Sequence, residues 1–334
     1  MPFQRLATAL LAATMAPLAL ASCASVPPAS VAAPGPALRA GEHEADLNGA
    51  RVWYRVGGSW DGRAAPVVFL AGGPGGNSYV FAKIAGPSLE ADNLMVYYDQ
   101  RGTGRSERPS SGDYAITTLV DDIEALRLHL GVPKLSLIAH SFGAILALEY
   151  AAKYPRRVEA AVLAGPLWNA PLSCREHIER LAELRPDVHR TLMALGEPPE
   201  TETCERSFRA VPGREGERIT EANMYPNAAT LERVSRAEAE SGLRNTGELG
   251  RAVFRAGLLR YRFAGAERVS APVLVVGGSR DFAAGPRAQR RLAEILPRGR
   301  FAEYEGLGHW MFVEDPERFA RDVSRFLDEA AQSR

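Results

Sequence analysis

The sequence is short of several things. It has three cysteines in 334 residues, too few for a disulfide-built scaffold. No cluster of His, Cys and acidic residues has metal-ligand spacing, so a metal centre is not expected. The charges balance, 40 Lys and Arg against 40 Asp and Glu, which leaves no positive excess for a nucleic-acid surface. No G-K-[ST] follows the glycine-rich stretch at 70–76, and neither 72–77 nor 102–107 keeps the G-x-G-x-x-G register. A nucleotide cofactor is therefore not expected either, nor any other. No apolar run reaches the roughly 20 residues of a spanning helix, and internal repeats are missing. What remains, 46% hydrophobic and 24% charged, is a globular composition with enough apolar residues for a large core.

The N-terminus departs from that composition. Arg5 precedes an apolar stretch from Leu6 to Leu20, which reads as an export signal. Leu20-Ala21-Ser22-Cys23 resembles the lipobox of bacterial lipoproteins. The resemblance implies removal of residues 1–22 as a signal peptide, acylation of Cys23, and a periplasmic protein held on a membrane by its N-terminal lipid. Ala24, where an aspartate would retain the protein at the inner membrane, points to the outer one. Simple secretion, with cleavage nearby and an incidental cysteine, is the alternative. Residues 23–40, rich in Ala, Pro and Ser, read as a flexible tether. In an oxidising compartment Cys174 and Cys204 can pair, a reading preferred over two buried thiols.

From about residue 50 strands alternate with helices. "RVWYRV" at 51–56 alternates as a half-buried strand, while "PVVFL" at 66–70 and "LMVYYD" at 94–99 are the continuous apolar runs of buried parallel strands. A helix capped by Thr117 or Thr118 carries Leu119, Ile123, Leu126 and Leu130 on one face and stops at Gly131. Strand 135–139, helix 142–154 and strand 158–164 follow. The rhythm breaks at Pro166 and resumes at 271–278, with a helix face from Ala288 to Leu296, strand 301–305 and a closing helix from Pro316 to Ala330. This predicts an α/β fold with a mainly parallel doubly wound sheet in two parts, 41–166 and 269–334, split by a helical lid over 167–268.

Ser141 falls at a strand-to-helix junction among small residues, Ala139, Gly143 and Ala144. A serine there is either an exposed nucleophile or a plain helix cap, and the segment alone does not choose. Asp281 follows one late strand and His309 another, in the chain order serine, acid, histidine that a hydrolase of this architecture uses. Glu305 and Asp315 are rival acids but lie too near His309 to come from a separate strand. His140 neighbours the serine, yet adjacent strand residues point to opposite faces. His43 precedes the predicted fold, His129 ends a helix, and His177 and His189 fall in the lid. The stretch "LAGGPGG" at 70–76 follows a strand, and its glycines let the backbone aim amides at a ligand. The amides of Gly73 and Phe142 are the candidates for an oxyanion hole. A structural turn is the competing reading.

Taken in order, "GGPGG", "YYDQRGTGRS" at 97–106, "AHSFGA", "GSRD" and "GHWMFVEDPE" resemble the proline iminopeptidase branch of the α/β-hydrolase superfamily, from about residue 50 to 330 apart from the lid. The resemblance implies the α/β-hydrolase fold and two-step acyl transfer by Ser141, His309 and Asp281 on a small peptide or ester. Ala71 replaces the usual histidine, Ala139 the usual glycine, and the lid lacks the usual tryptophan-glutamate signature. In the family, lid glutamates hold the substrate ammonium. Here Glu176, Glu179, Glu183, Glu232, Glu238 and Glu248 are available, and the sequence does not choose among them. It also implies that Asp99, Gln100, Arg101 and Gly102 shape the oxyanion loop, although a salt-bridged turn is the preferred reading. Release of N-terminal proline or small residues is the first functional expectation. An esterase or lactonase comes second, and a non-catalytic binding lipoprotein third.

Overall fold

The strand order explains why the site lies where it does. A computed structural model describes residues 36–333 apart from 60, 61, 63, 197–201 and 245; Cys23 and residues 1–22 lie outside the described residues. One sheet holds β1 (Gly41–Leu47), β2 (Ala50–Gly57), β3 (Val67–Leu70), β4 (Met95–Tyr98), β5 (Leu135–His140), β6 (Val158–Ala164), β7 (Val273–Gly278) and β8 (Gly299–Tyr304). Its order is β1-β2-β4-β3-β5-β6-β7-β8. The β1–β2 and β2–β4 pairs are antiparallel, and the rest are parallel as the buried apolar runs predict. The chain leaves β3 on one side to form β4 and returns on the other to form β5. The loops after β3 and β5 therefore part and open a crevice at their carboxyl ends.

Every residue of β3, β4, β5, β6 and β7 is buried, and the period of two sorts side chains to both faces. Val68 and Leu70 join a core with helices Ile116–Leu130 and Gly143–Lys153. Val67 and Phe69 join another with the final helix Pro316–Gln332.

Three local expectations need correction. His43 does not precede the fold: it lies in β1 opposite Tyr54. The hairpin turns on Asn48 and Gly49, both at positive φ, the Asn-Gly pair that two-residue hairpins favour. Pro36–Leu38, in the segment read as a tether, is a short 3₁₀ turn with Leu38 buried in the core. The helix after β4 starts at Ile116 and is capped by neither threonine: Asp113 accepts from the Ala115 amide and from the Thr118 hydroxyl.

Between β6 and β7 the regular elements among the described residues are helices, joined by turns, with one isolated bridge between Asn169 and Arg262. The amphipathic run from 175 breaks at Arg185, before Pro186, into helices Ala170–Leu184 and Pro186–Ala194. Helices Thr203–Ala210, Gly213–Met224, Ala228–Ser241 and Glu248–Arg255 follow. Cys174 and Cys204 are disulfide-bonded and join the first of these helices to the third.

Candidate active site

The turn from β5 into helix Gly143–Lys153 holds Ser141 at φ 52°, a conformation costly for any residue with a Cβ. Backbone bonds keep it there. The Ser141 amide donates to the Ala164 carbonyl at 3.1 Å, and its carbonyl accepts from Ala144 and Leu167. The small neighbours are sterically required. A Cβ on Gly143 would run into the carbonyl oxygen of Leu70, and one on Gly72 would stand 2.8 Å from the Ser141 Cβ. Ala139 is different: its methyl is buried in the core beneath the helix, so the place usually given to glycine takes it without conflict.

The loop after β3 crosses beside Ser141. Gly73 has φ 118° and Gly75 φ 99°, which only glycine adopts freely. Among the described residues neither the Gly73 amide nor the Phe142 amide meets an acceptor. The stretch after β4 both forms a salt-bridged turn and fixes this loop. Gln100 donates its side-chain N–H to the Ala71 carbonyl at 3.1 Å. Asp99, fully buried, accepts from the amide and hydroxyl of Ser78 and from Arg105. Arg101 donates two hydrogen bonds to Asp122, both buried. At Ala71 the contact uses the backbone carbonyl, which every residue has.

The loops after β7 and β8 bring Asp281 and His309 together. His309 Nδ1 lies 2.9 Å from Asp281 Oδ2, and Asp281 is wholly shielded from solvent. Its Oδ1 also accepts from the Ala283 and Ala284 amides, and its Oδ2 from Gln289. Of the rival acids, Asp315 accepts from the Arg318 amide as the cap of the last helix, and Glu305 is exposed.

Several contributors were not legible. Gln289 is fully buried beside Ala288 and Leu292 on the face expected to be apolar, and that polar intrusion was the available signal. His140 donates Nε2–H to the His309 carbonyl at 3.0 Å. Burial holds it well below its ordinary pKa, and so neutral. His177, placed in the lid by sequence, donates to the Ala283 carbonyl. The lid helix Gly213–Met224 ends on both loops: the Asn223 carbonyl accepts from Phe282 and Ala283, and the Met224 carbonyl from His309. These contacts cross long sequence separations and leave no periodic mark.

Ser141, His309, Gly73 and Met224 line two adjoining cavities. The larger, about 670 Å³, runs under the lid past Leu167, Leu181, Val211 and Leu258. The smaller, about 420 Å³, is walled by Phe69, Phe81, Trp310 and Phe312 on the side of the glycine-rich loop. Most of the lid glutamates are engaged elsewhere. Glu176 is buried and accepts from the Arg287 and Ala288 amides. Glu179 pairs with Arg287, Glu183 with Arg180 and Glu232 with Arg236. Glu248 accepts from Tyr114. Glu238 alone of the six lines the smaller cavity; it reaches solvent, yet surrounding protein raises its pKa above the ordinary carboxylate value. Glu217 and Glu221, not among those six, line the larger one.

A serine in a strained turn, free amides beside it and a histidine oriented by a buried carboxylate are the parts that acyl transfer uses. Comparison with known proteins gives the family. The family described as alpha/beta hydrolase fold matches residues 65–316. A proline iminopeptidase of Clostridium botulinum is 26% identical over 83% of this chain and 94% of its own. One from Heyndrickxia coagulans is 25% identical over 85% and 97%. Among solved structures, a proline iminopeptidase-related protein from Thermus thermophilus superimposes with a TM-score of 0.73 at 26% identity, over 89% of this chain and all of that one. The sheet order, the crevice at its switch point and a match across most of the sequence lead to one assignment: the chain belongs to the alpha/beta hydrolase fold family, with proline iminopeptidases among its relatives.

Proposed function

We propose that the protein is a serine aminopeptidase that releases N-terminal proline or another small residue. The observation that carries the reading is the buried Asp281–His309 pair, whose histidine lines the same cavities as Ser141. In this reading Ser141 Oγ attacks the scissile carbonyl carbon while His309 Nε2 takes its proton. Asp281 accepts from Nδ1–H, which fixes the tautomer whose Nε2 is free to act as the base. The amides of Gly73 and Phe142 donate to the oxyanion. Collapse expels the amine, protonated by His309, and water releases the acyl group through the same steps in reverse roles.

An aminopeptidase must also hold a substrate ammonium. Glu238 suits that task because it lines the smaller cavity and, among the described residues, pairs with no cation. An ammonium beside it would favour the charged carboxylate and offset the desolvation that raises its pKa. Glu238→Gln is expected to raise KM for a prolyl anilide at least tenfold, since hydrogen bonds to charged groups are worth about 1.5–3 kcal/mol. Because the Glu238 pKa is raised, wild-type KM should climb as pH falls through it, the protonated acid no longer attracting the ammonium. An acetate ester should see no comparable change in either experiment. The larger cavity, mostly apolar, favours an esterase as second reading. Steady-state kinetics on the two substrates separates them: turnover of the ester with none of the anilide contradicts the aminopeptidase.

A further inference from the structure

The wall of the larger cavity is mostly apolar, with polar residues set into it. Asn223 lies there, 5% exposed, and its Oδ1 is buried with no hydrogen-bond partner among the described residues. A buried amide of this kind is normally paired, so an unpaired one in a cavity wall calls for a ligand. The neighbouring polar groups are already committed: Ser173 donates its hydroxyl to the Ala284 carbonyl at 2.6 Å, and His177 its ring N–H to the Ala283 carbonyl.

The backbone keeps Asn223 near the reaction centre. Its carbonyl accepts from Phe282 at 3.0 Å and from Ala283 at 3.2 Å, next to Asp281, and the following carbonyl, of Met224, accepts from His309 at 2.9 Å. The last torsion of an asparagine side chain is soft, so the amide can turn to offer either its oxygen or its nitrogen. Among the described residues no lysine or arginine lines this cavity, whereas Glu217 and Glu221 do. A carboxylate or phosphate would be repelled there. Oδ1 accepts, so its partner must donate, and with the substrate ammonium held at Glu238 the donor left on a departing peptide is a backbone N–H.

We propose that Asn223 forms a leaving-group subsite that hydrogen-bonds the second peptide bond of the substrate. The favoured substrates are then peptides of three or more residues; a dipeptide would place its terminal carboxylate near Glu217 and Glu221. The inference rests on the aminopeptidase reading, with the N-terminal residue beside Glu238 in the smaller cavity and the departing chain in the larger.

The test compares proline release from prolyl-leucine N-methylamide with release from prolyl-leucine methyl ester, two near-isosteric compounds that differ in one N–H. The wild-type ratio of kcat/KM, amide over ester, should be about ten, the worth of one uncharged hydrogen bond. Asn223→Leu should bring the ratio to about one, and Asn223→Asp, which keeps an acceptor, should retain the preference. Equal rates in the wild type, or a preference that survives Asn223→Leu, overturn the subsite. The wild-type ratio decides even if the leucine variant does not fold. Proline released from neither compound overturns the aminopeptidase reading and this inference with it; equal release from both overturns the subsite alone.

Discussion

Replacing Asp281 with asparagine is expected to lower kcat by about four orders of magnitude while leaving the fold in place. The carboxylate accepts from His309 Nδ1, from Gln289 and from the Ala283 and Ala284 amides. An asparagine keeps one oxygen for the two backbone amides and turns its N–H₂ toward the histidine. His309 must then carry its proton on Nε2, where it cannot accept one from Ser141. Gln289 can accommodate the change, because its own Oε1 is buried without a partner and can rotate to accept. The effect should thus fall on the reaction and not on folding. A kcat within tenfold of wild type, with an unchanged melting curve, would contradict the role given to Asp281.

The second large effect concerns stability. Asp122→Ala is expected to cost about 3–5 kcal/mol, the usual result of stranding one member of a buried ion pair. Arg101, 2% exposed, donates Nε–H to Asp122 at 2.5 Å and an Nη2 hydrogen at 2.6 Å. Its Nη2 also reaches the Asn48 carbonyl at 3.2 Å, and the Asn48 amide donates to Asp122. Removing the carboxylate leaves a guanidinium with no charge partner in the core. Thermal denaturation should show Tm lower by roughly 10 °C. Activity should fall as well, since the neighbouring Gln100 holds the Ala71 carbonyl at the start of the glycine-rich loop. Replacing both partners with apolar residues of similar volume should recover most of the stability, because no charge is then stranded. A single variant that melts with the wild type contradicts the account.

The parts of the fold that were legible are those in which local chemistry and tertiary role coincide. The runs that became β3 to β7 are apolar because both faces are covered, and such runs identify themselves. β1 did not, because its first residues are exposed and only Ala45 and Leu47 are buried. The Asn48-Gly49 turn was the signal that would have found it. Asp113 leaves no such mark either: it lies outside the helix, where period carries no information, and accepts from the Ala115 amide and the Thr118 hydroxyl.

The candidate site divides in the same way. Asp281 and His309 could be placed from their loops because strand order fixes where those loops end. The structure brings their side chains within 2.9 Å. What sequence could not supply is how the lid takes part. The carbonyls of Asn223 and Met224 hold the amides of both loops, and any residue has a carbonyl, so no side-chain pattern marks the contact. The glutamates gave the converse difficulty. Six looked equivalent in sequence, but packing buries Glu176 under a helix start and leaves Glu238 at a cavity. Only the tertiary arrangement separates them.

The central claim is that Ser141 is the nucleophile, and covalent labelling tests it most directly. The protein would be treated with a fluorophosphonate, digested, and the modified peptide sequenced by mass spectrometry. The account predicts a single adduct on Ser141 that disappears in His309→Ala, because the hydroxyl needs its base. An adduct on any other residue, or an untouched Ser141 in protein that still turns over substrate, would contradict it.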